Sequence, residues 1–262
     1  MNKIQEASEG IMSRYPVYLE ITDDLCLAHT FTCDAGAGIP DLSGCTVRAS
    51  SRAEALSGLP AAIRDHLAWL RRHGESVPPE DDPVEIEVAG ESHGFGPFNP
   101  GDAAALFPPD RAPLAPDEME IYFRLMAHAR ADLLALVEGL PDEVLDRQQG
   151  AEAWTIRRIL RHIGNAEEWY VSRLVPPETL PAEWEHDDEL PVFEFLAMER
   201  RTAVDRLRRL GAEERAAVVY PAHWTSHLDE PWTARKALRR AVEHEREHTG
   251  QIGEMPRGMG NH

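Results

Sequence analysis

Trp154-Thr155-Ile156-Arg157-Arg158-Ile159-Leu160-Arg161-His162 is echoed by Trp232-Thr233-Ala234-Arg235-Lys236-Ala237-Leu238-Arg239. In each stretch the Thr is placed to cap a helix, and the Trp before it is placed to pack on the fourth helical residue, Ile159 or Ala237. Two more amphipathic stretches share this half of the chain. One runs from Asp117 to about Glu138, with Ile121, Leu125, His128, Leu133, Leu136 and Val137 inward; the other runs from about Val192 to Leu210. With Thr155 to about Leu174 and Thr233 to about Glu254, they predict four helices joined by connections of roughly ten to twenty residues, the pattern of a four-helix bundle. The echo puts the second and fourth helices in equivalent positions.

Histidines mark the inner faces of those two helices. His244-Glu245-Arg246-Glu247-His248 sets two imidazoles four residues apart, one turn along a single helix face. His162 shares the apolar side of its helix with Ile159, Ile163 and Ala166. A histidine there is either a hydrogen-bonded core residue or a ligand; with His244 and His248 it completes a three-nitrogen set that can hold one metal ion and leave a position open. Glu245 makes the string formally His-Glu-x-x-His. The extensions that zinc proteases need are missing, because no third His and Met-turn follow and the chain ends at His262 before a further helix can supply a Glu. Glu247, Gln251 and Asn165 are spaced to back the ligands or simply to face water. His223 and His227 straddle Trp224 in the loop before the last helix, where they are placed to rim the site. His128 reads as core, while His29, His66, His73 and His93 have no visible partner. Arg200, Arg201, Arg206, Arg208 and Arg209 read mainly as an ion-pairing surface, and Glu185 to Glu189 as a solvated loop.

The 262 residues are 42% apolar, enough for ordinary cores in two domains, and the formal net charge is −19. Both halves are acidic: residues 1–115 hold 8 Lys/Arg against 18 Asp/Glu, and residues 116–262 hold 19 against 28. Such a surface repels phosphate backbones, so no nucleic-acid partner is expected. No apolar run reaches the length of a membrane span and no signal pattern opens the chain, so a cytoplasmic protein is expected. Cys26, Cys33 and Cys45 lack ligand-like spacing and read as reduced thiols, Cys26 and Cys45 as buried ones.

The first 93 residues predict an α+β module, a small sheet with one helix. Tyr15 to Ile21, Cys26 to Cys33 and Cys45 to Ser50 are β-prone, with Asp23-Asp24 as a turn. Ser51, with Glu54 three residues on, opens a helix through about Arg72 whose apolar stripe is Ala55, Leu59, Ala62, Ile63, His66, Leu67 and Leu70. Gly74 ends it, and Val84 to Val88 returns as a last strand. Residues 94–116, with Pro97, Pro100, Pro108, Pro109, Pro113 and Pro116, form a linker laid along the surface by Phe95, Phe98, Leu106 and Phe107. The all-α domain is residues 117–262.

Two families resemble these parts. Tyr15 and the strand after it, Pro40-Asp41-Leu42-Ser43-Gly44-Cys45, Ser51-Arg52-Ala53-Glu54-Ala55-Leu56 and Leu70 to Pro78 resemble HicB-like domains over residues 13–88. That family implies an antitoxin partnered with a small RNA-cleaving toxin. No basic helix or DNA-binding helical motif accompanies the resemblance, so a ligand-binding or structural role is expected. Residues 117–256 resemble the DinB-like superfamily of metal-binding helical proteins, through Trp154 to Ile163, Ala166-Glu167-x-Trp169-Tyr170 and His244-x-x-x-His248-Thr249-Gly250-Gln251-Ile252. The resemblance implies a divalent metal (Ni, Zn, Co or Fe) on His162, His244 and His248, a homodimer, and reactions such as transfer or isomerisation with low-molecular-weight thiols. The expected function is metal-dependent transfer or hydrolysis on a small molecule. The competing expectation is a non-enzymatic stress-response or binding protein with a structural metal, whose HicB-like module recruits a protein partner.

Overall fold

The structure is a computed structural model that describes residues 14–31, 40–94, 96–99, 102–148, 150 and 153–255. Cys33, the stretch 32–39 and the linker residues Phe95 and Pro100 lie outside them. The chain divides into two compact units, Met1–Glu91 and Ser92–His262.

The first unit is built from β1 (Arg14–Ile21), β2 (Cys26–Thr30), β3 (Cys45–Ala49), helix α1 (Arg52–Arg72) and β4 (Glu85–His93). The sheet order is β3-β2-β1-β4, with β1 and β2 antiparallel (Val17 opposite Thr30) and β2 and β3 antiparallel (Cys26 opposite Ala49). Thr22 and Leu25 close the Asp23-Asp24 turn through the Thr22 amide to the Leu25 carbonyl at 2.9 Å. The Ser51 hydroxyl caps α1 by accepting from the Glu54 amide. Gly74, at φ +82, reverses the chain so that the Glu75 amide reaches the Leu70 carbonyl. Val17, Leu19, Cys26 and Ala28 meet Ala55 and Leu59 of α1 in the core. β4 extends to His93 rather than Val88, and its glutamates pair with Arg14 (Glu85, Glu87) and Arg52 (Glu91). His29 lies 3.0 Å from Glu20, both fully buried, a pairing no spacing rule announces.

The second unit is helical: α2 (Pro116–Val137), the single turn α3 (Asp142–Leu145), α4 (Ile156–Ser172), α5 (Val192–Arg208), the short α6 (Ala212–Ala216) and α7 (Ala234–Glu254). Thr155 and Thr233 cap α4 and α7, accepting from the amides of Arg158 at 3.2 Å and Lys236 at 3.1 Å. Helix α4 packs against α5 and α7, and α2 against α7. Gly164 is what lets α4 approach α5 so closely, because a Cβ there would lie 2.2 Å from a Phe195 ring carbon. The inward face of α2 is rotated from the expected one. Leu125, Leu133 and Val137 are buried with Met119, Tyr122, Phe123, Met126, Ala129 and Arg130, while Ile121, His128 and Leu136 are half-buried.

Charged side chains close the interior. Arg130 (α2) donates to Glu167 (α4) and, at 2.5 Å, to Glu245 (α7); Arg200 (α5) donates at 2.8 Å to Glu167 and also to Glu245. The spare guanidinium nitrogens reach backbone carbonyls across helices, Arg130 to Leu196 at 2.7 Å and Arg200 to Met126 at 2.6 Å. Four helices thus meet in one square of alternating charge, and Arg200 belongs to it rather than to an ion-pairing surface. The Pro-rich stretch is fastened to α7 by buried polar contacts. Asp110 takes both Arg239 (2.8 Å) and, at its carbonyl, the Thr233 hydroxyl (2.7 Å), while Lys236 reaches the Ala104 carbonyl at 2.6 Å. Among the described residues no helix is long and apolar enough to cross a membrane.

Candidate metal centre

The caps at Thr155 and Thr233 set the phase of α4 and α7, and that phase turns His162 and His244 toward each other. Their Nε2 atoms lie 2.9 Å apart. His248, one turn beyond His244, brings its ring to 4.9 Å from His162 and 4.5 Å from His244, centre to centre. One nitrogen from each ring falls within 4.8 Å of the other two, and the group contains no fourth His, Cys, Asp or Glu among the described residues. All three residues are half-buried. Desolvation is the main cause that lowers the His162 pKa to about 4, helped by His248 and the Arg158 charge. His244 is pushed well below its ordinary value by desolvation first, then by His248, His162 and Arg240. These two rings are therefore neutral at physiological pH and carry free lone pairs. Two lone pairs facing each other at 2.9 Å repel unless a proton or a cation lies between them.

The surroundings orient the rings. Trp154 stands edge-on to His162 at 4.9 Å, beneath the Arg158 guanidinium, and Tyr170 stands edge-on to His244 at 6.1 Å. Burial is the first cause that raises the Tyr170 pKa to about 12, so its hydroxyl keeps its proton. His248 Nδ1 is 2.7 Å from the Gln251 carbonyl oxygen, which places the proton on Nδ1 and the lone pair on Nε2. Glu247 and Asn165 are exposed.

Glu245 settles the protease question. Adjacent to His244 but 100° around the helix, it is buried in the charge square, and Arg200 and Arg130 hold its carboxyl below the usual carboxylate range against the opposing pull of its burial. Both of its oxygens are occupied by guanidinium donors, so it is not available as the general base of a zinc protease. His223 and His227 do not join the trio. His223 Nε2 bonds instead to the Ser172 carbonyl at 3.0 Å, at the end of α4. His66 and His73 flank Trp69 in the first unit, at 5.0 and 5.3 Å. Sequence reading quoted Tyr170 within the DinB-like motif but gave it no role, and it missed Arg130. Tyr170 carries the eight-residue offset from His162 that keeps a residue near the same face; Arg130 gave no signal, being one more cation on a charged helix.

Fold and site together define a helical unit with three inward imidazoles on two facing helices, a candidate metal centre of open type. Residues 125–252 match the model of the DinB superfamily, so that stretch is similar to proteins of that superfamily. No curated protein and no solved structure matches the chain.

Proposed function

We propose that His162, His244 and His248 hold one divalent metal ion, and that the site is catalytic, acting on a small molecule by thiol transfer or hydrolysis. The observation that carries this reading is the donor set itself: three convergent imidazole nitrogens, two of them kept neutral, with the nearest carboxylate sequestered by arginines. The fit is good. Nitrogens on one tetrahedral ion at ~2.05 Å stand roughly 3.3 Å apart, close to the 2.9 Å of the His162–His244 pair. Imidazole suits Zn, Ni, Co and Fe. Bound by neutral ligands only, such an ion would acidify a water or thiol at its open position. The chain's own contribution is to orient: Gln251 fixes the His248 tautomer, Trp154 and Tyr170 hold the ring planes, and the charge square holds α4 and α7 at their spacing.

The same reading takes the four long helices of the second unit as a DinB-like four-helix bundle that forms a homodimer, joined through residues 94–116 to a HicB-like module at 1–93. The Pro40 to Cys45 turn supports the last point: Asp41 accepts from the Ser43 amide at 2.7 Å and Gly44 adopts φ +94. Recruitment of a protein partner by that module belongs to the competing, non-enzymatic reading.

Metal content by plasma mass spectrometry, on the protein and on His162→Ala and His244→Ala/His248→Ala variants with unchanged circular dichroism, tests the site. About one equivalent, lost in both variants, is the expected result and directs substrate screens to that metal. No bound metal after reconstitution with Ni, Zn, Co and Fe overturns it and leaves a non-enzymatic binding protein.

A further inference from the structure

Arg173 caps the end of α4, and its side chain is fully buried. Burying a guanidinium costs several kcal/mol unless a carboxylate offsets it, and the other buried arginines of this unit follow that rule. Arg130 and Arg200 share Glu167 and Glu245, Arg239 holds Asp110 and Glu243, Arg240 holds Glu243, and Arg235 holds Glu118. Arg173 has no hydrogen-bonded carboxylate among the described residues. Its Nη2 donates to Ser172 Oγ (2.9 Å) and to the His223 carbonyl (2.8 Å), its Nε reaches Ser172 Oγ and the Trp169 carbonyl at 3.3 Å, and its plane lies 4.7 Å from the Trp169 ring. Nη1 is buried and meets no acceptor among the described residues. Glu230, the carboxylate that acts on it through space, is engaged by Lys236 and the Ala104 amide.

The segment over Arg173 is also unusual. His223 is tied to Ser172 and Arg173, and the Trp224 carbonyl accepts from Trp169 Nε1 at 3.2 Å. Trp224 itself sits at φ +50, a backbone conformation a bulky side chain rarely adopts, and the residue stays 57% exposed. A buried charge with no hydrogen-bonded carboxylate among the described residues, a strained residue and an exposed indole thus converge on one spot. That spot shares a face with the histidines: eleven residues separate His162 from Arg173, three turns of α4, about 16 Å along the axis and roughly 20° around it.

We propose that Arg173 anchors an anionic group, a carboxylate or a phosphate, of the molecule whose other end reaches the three histidines, with the His223–Trp224 segment as the flap that admits it. The anion takes Nη1 and displaces the His223 carbonyl from Nη2, forming the two-pronged pair that a guanidinium prefers. This proposal rests on the catalytic reading of the histidines for the identity of the molecule, but the anion site stands without the metal.

The test uses the metal-free full chain, titrated at constant ionic strength with inorganic phosphate and, separately, with acetate. Binding is read by calorimetry and by the Nε–H cross-peak of Arg173, assigned by its loss in Arg173→Lys. Saturable binding of one anion, a shift of that cross-peak, and at least roughly tenfold weaker binding in Arg173→Met are expected, with Arg208→Met unchanged. The anion that binds identifies the group. Should Arg173→Met fail to fold, Arg173→Lys, which keeps the charge and loses the fork, is expected to bind several-fold more weakly. No saturable binding, or binding undiminished in these variants, overturns the proposal, and neither result bears on the metal count.

Discussion

Replacing Glu245 by Gln separates the two readings of His244-Glu245-x-x-His248. In the structure Glu245 is one of two carboxylates that neutralise Arg130 and Arg200, and all four side chains are buried or nearly so. Gln keeps the volume, so no cavity forms; what changes is the charge, which leaves two guanidinium groups with only Glu167 between them. Removing one partner of a buried pair costs about 3–5 kcal/mol. In a unit of about 170 residues each kcal/mol lowers the melting temperature by roughly 2–4 °C, so a fall on the order of 10 °C is expected. Circular dichroism melts and urea titrations measure it, with Glu247→Gln, two residues on and exposed, as a control expected to stay within about 0.5 kcal/mol of the parent. Removing the excess charge in Glu245→Gln/Arg200→Gln should recover part of the loss. A Glu245→Gln protein that melts with the parent yet loses a metal-dependent hydrolytic activity would mean that Glu245 works as a base, and the assignment of its oxygens to the square would be wrong.

Two further outcomes follow from packing and from titration. Gly164→Ala puts a methyl against Phe195, so a loss of about 1–3 kcal/mol is expected and should be partly recovered in Gly164→Ala/Phe195→Leu; an unchanged melt refutes the close approach of α4 and α5. The His162 pKa is lowered to about 4 in the folded chain against ~6.5 when unfolded. Between those values the unfolded state binds the extra proton, so the contribution to stability is complete above about pH 6.5 and is lost as pH falls toward 4 in the metal-free protein, by no more than about 1–2 kcal/mol once solvent screening of the half-buried ring is allowed for. A His162→Gln variant should show a shallower loss over that window; parallel curves would place the His162 ring in water.

The parts of the fold written in local chemistry were legible. Capping residues Ser51, Thr155 and Thr233 stand where the structure uses them, and Gly74 ends α1 in the left-handed conformation that its position demanded. The shared face of His244 and His248 was legible for the same reason, since a four-residue spacing fixes a face without any knowledge of the rest; His162 joined them through the DinB-like resemblance. The interior charges were not. Arg130, Glu167, Arg200 and Glu245 look like surface residues because each carries a charge, and only the three-dimensional meeting of four helices makes them a buried square. Helix α2 was misphased on that account, since Arg130 belongs to its buried face while Ile121 and Leu136 do not. The Pro-rich stretch was read from composition as a surface strap. Its fastening to α7 through Asp110, Arg239 and Lys236 depends on pairs more than a hundred residues apart, which no local pattern encodes.

Helix α7 shows why the two kinds of information divide this way, and why the site has the character it does. Six of its eleven buried residues are charged: Arg235, Lys236, Arg239, Arg240, Glu243 and Glu245. An apolar stripe would let α7 slide or rotate at modest cost, since one apolar contact substitutes readily for another. A buried charge has no substitute partner and must keep the one it has. Helix α7 is therefore pinned at its start by Asp110 and Glu230, and one residue after His244 by Arg130 and Arg200. Glu167, five residues after His162, pins α4 to the same two arginines. The square that joins α4 to α7 is thus the element that sets the His162–His244 separation. It also uses up Glu245, the carboxylate that makes the string formally His-Glu-x-x-His, so the three imidazoles converge with no carboxylate among them.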